Sequence, residues 1–519
     1  VADWLRTPAV QPALTALDPI WRAEVDRLVP SGAARPEPGA GVRAMVDAWQ
    51  RLRFFEGLAR ALIGGGRPVL LTLDSIQWCD PETLTFLTFC LSLTPDAPLM
   101  VAATARTDDT DENRDLEQWA DRMRTAGLLA DLPLQPLGAC GTARLAETLG
   151  GRPLDPQDAE LLHATTGGFP LYIIEAMRSG PGVAPAGRLA DVLHDRIGQV
   201  SPAARDVAGL AAAVGRDFTL DLLTEASDLD TDAVVRAVDE LWQRRILRQF
   251  RDGYDFSHDL LRDAAYARIS PPRRWLLHRR LAQSLELLHA DDYDSVSAQL
   301  AEQYARGGRP DRAVTYYRRA ADVASSTFAH TEAIRLHKKA LAIARTQLEG
   351  RDAAVQELAV REEMAAPLNA RYGYSSPELQ QTLERSIRLA ESLGRKDSLL
   401  AGLVGLWSSR FVQGNIAGAH EVATRALTLV DPGSPLRGSA HFAFAGSAVE
   451  LGRPEEALHH FDRAAALTRG APSLTVGTRP DVHGSAWAAH AHWLLGHNDA
   501  ALSCCTEAVR LARTIDHPY

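Results

Sequence analysis

Asp74 is the residue around which any chemistry in this chain would turn. It ends the apolar run of the stretch RPVLLTLDSIQWCD, Arg67 to Asp80, after which the sequence turns polar. A buried parallel strand with a carboxylate at its carboxyl end places that group where α/β proteins form ligand sites. Magnesium selects hard oxygen ligands of this kind, commonly against the phosphates of a nucleotide. The other reading of Asp74 is a loop or helix-capping aspartate, and spacing alone does not separate the two. A phosphate cradle of the form G-x-x-x-x-G-K-[ST] occurs nowhere in the 519 residues. Gly64-Gly65-Gly66 runs into Arg67-Pro68, without a lysine–hydroxyl pair. Such a loop supplies backbone N–H groups and a lysine to the phosphates. The five cysteines (Cys79, Cys90, Cys140, Cys504, Cys505) form no CxxC pair and no metal spacing, which fits a reducing cytosol. Arg273, Arg274, Arg279 and Arg280 form a basic group that reads either as a DNA contact or as a solvated helix face; the acidic balance of the chain favours the second.

The elements that must position these residues change character along the chain. At 519 residues the length implies three or four domains. Hydrophobic content of 46% and charged content of 24% describe an ordinary soluble globular protein. With 56 basic and 66 acidic residues the net charge is −10, which argues against wholesale nucleic-acid binding. There is no apolar run near 18 residues and no signal peptide, so a cytoplasmic protein without membrane contact is expected. The chain starts at Val1 and stops at TIDHPY soon after a helical pattern, and both ends read as cut. Residues 1–66 carry helical spacing in VADWLRT, WRAEVDRLV and MVDAWQRLRFFEGLARALI, with PSGAARPEPGAG as a loop. PVLLTLD and PLMVAATA have the length of fully buried parallel strands. Between them PETLTFLTFCLSL reads as a helix, with Asp80 as N-cap and Pro81 in the first turn. A further short run, ADLPLQPL, completes an α/β pattern.

Beyond Leu137 helices dominate, up to a linker at GPGVAPAG. From Arg188 to about His289 the pattern gives short helices, a β-pair at ILRQFRDGYDFS turning at Asp252-Gly253, and the basic amphipathic helix PRRWLLHRRLAQSLELL. That combination suggests a winged helix. The remainder repeats Gly-x4-Ala-x6-Ala four times: Gly308, Ala313, Ala320; Gly414, Ala419, Ala426; Gly452, Ala457, Ala464; Gly496, Ala501, Ala508. Glycine ends one helix and small alanines let the next pack closely, as in tetratricopeptide-like arrays.

PVLLTLDSIQWCDPETLTFL resembles the Walker B strand of the STAND-class ATPases of the AAA+ superfamily, in particular the large bacterial transcriptional regulators of LuxR and SARP type. In that resemblance Asp74 matches the magnesium-binding acid, and Trp78 and Asp80 match the pair that follows. Ser75 departs from the pattern, because a second acid stands there in the family and polarises the attacking water. A serine hydroxyl is no base at neutral pH, so whether this chain is an enzyme stays open. PLMVAATART is similar to the sensor strand and implies that Arg106 reaches the γ-phosphate, a role suited to a bidentate guanidinium. TGGFPLYIIEAM resembles the lid motif, with Pro170 against adenine after Gly167 and Gly168. YDFSHDLLRDAAY resembles the winged-helix motif whose histidine, here His258, contacts the β-phosphate.

The resemblance implies a multidomain, mainly α fold: an incomplete AAA+ α/β core over 1–137, a helical lid and linker over 138–186, a winged helix over 187–290 and tetratricopeptide-like repeats over 291–519. It implies ATP or ADP with magnesium as cofactor, bound by Asp74, Arg106, Gly168, Pro170 and His258, with Asp74 as the metal ligand. The implied function is an ATP-dependent switch in transcriptional regulation, with an inducer or partner protein on the repeats, a homo-oligomer, and DNA bound only through a domain outside residues 1–519. Two other readings are a non-enzymatic repeat scaffold with a degenerate ATPase core and the regulatory part of a nucleotide cyclase.

Overall fold

The computed structural model describes residues 1–29, 47–93, 98–106, 114–178, 189–468 and 480–514. The PSGAARPEPGAG loop, the GPGVAPAG linker and the TIDHPY end therefore lie outside the described residues, apart from single flanking positions. The protein is mainly helical and forms two compact units: Val1–Leu129 with Val314–Tyr519, and Ala130–Ala313.

In the first unit, strand β1 (Val69–Leu73) pairs in parallel with β2 (Leu99–Ala103), in the register Val69↔Leu99 to Leu73↔Ala103. Successive side chains of a strand alternate between faces. On one face Leu71, with Val69 and Val101 beside it, joins Ile76, Leu84, Leu87, Trp119 and Met123 in a core cluster. On the other, the register partners Leu70 and Met100 remain 59% and 66% exposed. The expectation of strands buried on both faces is thus not met among the described residues.

The crossover between the strands is the helix Pro81–Leu93. Its Leu84 and Leu87 face the sheet cluster, while Phe86 and Cys90 enter a second cluster with Phe54, Phe55 and Leu58 of the helix Asp47–Ile63. An element apolar on both sides is a central layer, and its sequence shows the matching lack of a polar face. Trp119, from the helix Arg114–Thr125, fixes the outer layer by donating its indole N–H to Thr88 Oγ1 at 2.8 Å.

The same unit contains an array of helices from His330–Gln347 to Asn498–Thr514, in which each packs on the next in sequence. The repeat glycines behave as read. Gly308, Gly414, Gly452 and Gly496 all adopt positive φ, the left-handed conformation that ends a helix without steric cost in glycine. Ala419, Ala426, Ala457 and Ala464 have no exposed surface, and Ala508 is 7% exposed. The helix Arg437–Glu450 is buried from Gly438 to Val449, as expected of a helix enclosed by neighbours on every side. Two contacts tie the start of the array to the α/β elements. Thr331 N–H donates to Glu82 Oε1 at 2.9 Å, and the Phe328 ring lies 5.8 Å from that of Phe54.

The second unit is helical apart from one hairpin. Ser201, Thr219 and Asp230 each cap a helix by accepting from Ala204 N–H (3.2 Å), Leu222 N–H (3.2 Å) and Ala233 N–H (2.8 Å). Strands β3 (Leu247–Phe250) and β4 (Gly253–Phe256) pair antiparallel, and Phe218 bridges to Tyr254. The expected β-pair is present, with its turn at Arg251-Asp252, one residue earlier than the sequence implied. A glycine is required at position 253, since a Cβ there would meet the Phe218 carbonyl oxygen at 2.6 Å. ADLPLQPL forms no strand. Leu132 and Leu134 are 88% and 93% exposed, so this segment has neither a neighbouring strand among the described residues nor a core to enter.

Candidate functional site

The carboxyl edge of the β1–β2 pair is the place where sequence-predicted residues come together. Asp74 is the first residue beyond β1, and Ser75 follows in the left-handed region at φ 61°, turning the chain into a short 3-10 helix, Ile76–Trp78. Strain of this sort in a non-glycine residue persists only where neighbours over-determine it. Here the neighbour is Thr104, in register one step beyond Leu73↔Ala103. Its N–H donates to the Leu73 carbonyl at 2.9 Å and its carbonyl accepts from Ile76 N–H at 2.8 Å. Its hydroxyl accepts from Ser75 N–H at 2.8 Å and donates to Asp74 Oδ1 at 2.6 Å. One threonine thereby fixes the strand exit and orients the carboxylate. Sequence reasoning passed over Thr104; its one signal is its place straight after a strand that pairs with the Asp74 strand.

Arg106 is exposed two residues beyond Thr104, at the same edge. Asp80 accepts from Thr83 N–H at 2.8 Å and from the Thr83 hydroxyl at 2.6 Å, so it is the N-cap that its position before Pro81 implied. Trp78 is 54% exposed. Burial, and then the neighbouring Asp80 charge, push the Cys79 thiol up to about 11, which keeps it protonated and inert at neutral pH.

A magnesium ion fits this edge by the chemistry of its donors. Asp74 offers an exposed carboxylate braced by a hydroxyl, and magnesium is usually held by one or two carboxylates with water and phosphate completing its shell. No group of three or more His, Cys, Asp or Glu side chains able to hold a metal occurs among the described residues.

The remaining sequence-predicted residues belong to the second unit. The helix Pro156–Thr166 ends at Gly167 (φ 59°) and Gly168 (φ 75°). Gly168 carbonyl accepts from Leu137 N–H at 2.8 Å, and a Cβ on Gly168 would lie 2.0 Å from the Leu137 carbonyl oxygen, so only glycine fits. Pro170 is exposed at the first turn of the helix Pro170–Arg178, where its missing N–H costs nothing. That helix is anchored by the buried Glu175, which pairs with Arg178 at 2.9 Å and with Arg196; Arg196 also donates to the Arg244 carbonyl at 2.6 Å.

His258 follows β4 and caps the helix Asp259–Ala267, its Nδ1 accepting from Leu260 N–H at 3.4 Å. An accepting Nδ1 places the proton of the neutral ring on Nε2. The basic group is engaged inside the unit. Arg273 pairs with Asp206 at 3.0 Å, Arg280 pairs with Asp228, Arg274 lies 4.5 Å over the Tyr266 ring, and Arg279 lies 5.3 Å over Trp275. A second buried chain runs from the Tyr266 hydroxyl to His278 Nε2 (2.8 Å), from His278 Nδ1 to Gln303 Oε1 (2.6 Å) and from Gln303 Nε2 to the Ala213 carbonyl (3.1 Å). Burial holds His278 below its usual range, so it serves as a neutral link in that chain.

No family model matches the chain. It is 25% identical over 345 residues to an uncharacterised protein of Rhizobium meliloti (strain 1021), a match that takes in 62% of this chain and 32% of the relative. The match thus spans about a third of the length of that curated relative. Among solved structures it is similar to a signal transduction ATPase with numerous domains carrying a tetratricopeptide repeat sensor, from Pyrococcus horikoshii. The identity is 11% and the TM-score 0.34, over 88% of this chain and 70% of the other. It is also similar to the apo form of RapI, at 8% identity and a TM-score of 0.36 over 72% of this chain and 86% of the other.

Proposed function

We propose that this chain is the switch and sensor of a STAND-type transcriptional regulator, with an AAA+ core over 1–137, a lid over 138–186, a winged helix over 187–290 and sensing repeats over 291–519. The observation that carries the reading is the Thr104-braced carboxylate of Asp74 at the carboxyl edge of a parallel pair, with Arg106 on the same edge. In this reading Asp74 holds magnesium, which neutralises phosphate charge when bound, and Arg106 reads the γ-phosphate oxygens. Ser75 supplies no base, so ATP acts chiefly to hold one state rather than to be consumed. An inducer or partner protein on the repeats biases the equilibrium by binding one state more tightly than the other.

The test is calorimetric titration of Mg·ATP into the protein with a strand and phosphate loop grafted ahead of Val1. Binding is expected, with Asp74→Asn weakening its magnesium-dependent part about tenfold or more. The chain of residues 1–519 alone is expected to bind ATP at about millimolar or weaker, since each charge-assisted hydrogen bond from the loop contributes about 1.5–3 kcal/mol. Absence of nucleotide binding by the grafted protein would sink the switch reading. It would favour the scaffold reading, to which the serine at position 75 already lends support.

A further inference from the structure

We propose that the groove between the helices Pro377–Leu393, Lys396–Val412 and Ile416–Leu429 binds a short peptide segment bearing one acidic and one basic side chain, gripped by Arg388 and Glu421. This rests on the reading of the repeats as the part that senses a partner, and it names the chemistry of that partner.

The groove encloses about 380 Å³. That is at the small end of ligand pockets, about 300–1,000 Å³, and suits a few residues rather than a folded surface. Its floor is apolar: Ile387, Leu403, Leu406 and Val422 line it and are 1–7% exposed. Around that floor stand three glutamates and three arginines, so the site has no net charge. Four of the six satisfy one another. Glu384 pairs with Arg410 at 3.8 Å, and Glu391 pairs with Arg425. Arg388 lies on the same helix, four residues after Glu384 and three before Glu391, where both carboxylates are within reach of a helical neighbour. Those carboxylates instead engage arginines of the facing helices. Glu421 stands one turn before Arg425, which Glu391 has taken.

Arg388 and Glu421 are thus left as an exposed cation and an exposed anion on the rim, with no hydrogen bond or ion pair to any of the described residues. A ligand of a single sign would satisfy one of them and meet like charge at the other. A segment with one carboxylate, one cation and an apolar side chain between them satisfies both and covers the floor. Such complementarity selects the partner more than it adds raw affinity.

The experiment uses residues 1–519 and four fluorescein-labelled, capped tetrapeptides, read by anisotropy. Two carry mixed charge in opposite orders, Glu-Leu-Leu-Lys and Lys-Leu-Leu-Glu. The controls are the neutral Gln-Leu-Leu-Gln and the acidic Glu-Leu-Leu-Glu. At least one mixed-charge peptide should bind saturably and about tenfold or more tightly than either control. Arg388→Gln and Glu421→Gln should each weaken it about tenfold, with unchanged far-UV circular dichroism and melting temperature, because both side chains are exposed. Equal binding of the neutral peptide, indifference to both substitutions, or no saturable binding of either mixed peptide up to millimolar would overturn the proposal. None of these readouts involves nucleotide. Failure here therefore leaves the ATP titration unaffected, and failure of that titration leaves this site standing.

Discussion

Thr104 concentrates the local physics of the candidate site in one hydroxyl. It is donor to Asp74 and acceptor from Ser75 at once, which a hydroxyl can be and an isosteric methyl cannot. Thr104→Val should therefore free the carboxylate to rotate and leave the strained turn at Ser75 supported by backbone bonds alone. Both partners reach water, so the stability cost is expected to be small, about 1 kcal/mol. The larger effect belongs to positioning. Groups that orient a metal ligand typically control binding by about 10–100-fold, so Mg·ATP affinity of the loop-grafted protein should fall by about tenfold or more. Thr104→Ser, which keeps the hydroxyl, should restore it. Calorimetry on the two variants decides the matter, and equal affinity for valine and wild type would remove Thr104 from the site. Asp74 and Asp80 were legible in the sequence because strand exits and N-caps are local signals. Thr104 was not, because its role exists only once the parallel register sets it beside Asp74, thirty residues away.

At the scale of elements the repeat helices were the most legible part, since a glycine stop and small contact residues recur at fixed spacing. What the spacing leaves unstated is how closely the aromatic residues pack between them. Trp487 stacks on Phe411 (5.1 Å) and Phe442 (5.2 Å) and meets Trp407 edge-on at 6.3 Å, all against the helix Arg437–Glu450. Gly446 makes room for them: a Cβ there would lie 2.1 Å from one Trp487 ring carbon and 3.2 Å from Trp407. Alanine would gain about 1 kcal/mol of helix propensity at this position, yet it would have to displace an indole held by those three rings and by Phe461 at 6.5 Å. Overpacking of this kind costs about 1–3 kcal/mol, so Gly446→Ala is expected to destabilise the first unit. The measurement is urea unfolding, and a midpoint raised above wild type would show that the ring yields freely. The α/β part was less legible for a related reason. ADLPLQPL reads as a further short run, but Pro133 and Pro136 have no N–H to give a neighbouring strand, and its exposed leucines show that it enters no core. The hairpin slipped by one residue because Arg251, at φ 53°, takes a left-handed turn position that sequence preference assigns to glycine.

Taken whole, the molecule keeps several histidines neutral in its interior, and this sets how it should respond to acid. Burial lowers His337 to about 4, against partial compensation by the Glu363 charge. Burial and then the His460 ring at 2.9 Å lower His441 to about 4. His278, in the second unit, is lowered by burial as well. An unfolded histidine takes up its proton near 6.5, while these rings resist until lower pH. Between pH 6.5 and about 4 the unfolded chain therefore binds more protons than the folded one, so stability present above 6.5 is lost as pH falls through that window. Carboxylates such as Glu357 behave differently. Burial raises Glu357, but the Arg385 and Arg361 guanidiniums outweigh it and hold the group below the usual carboxylate range, so its loss of stability comes at lower pH. The two contributions are separable with one substitution. His337 is 2% exposed and its Nδ1 finds no hydrogen-bond partner, so leucine removes a titrating group without breaking a bond at that nitrogen. Thermal melts of wild type are expected to fall steadily from pH 7.5 to 5. His337→Leu should match or exceed wild type at pH 7.5 and show a visibly shallower fall. An identical fall in the two proteins would mean that the ring accepts its proton while folded, and that acid lability originates elsewhere.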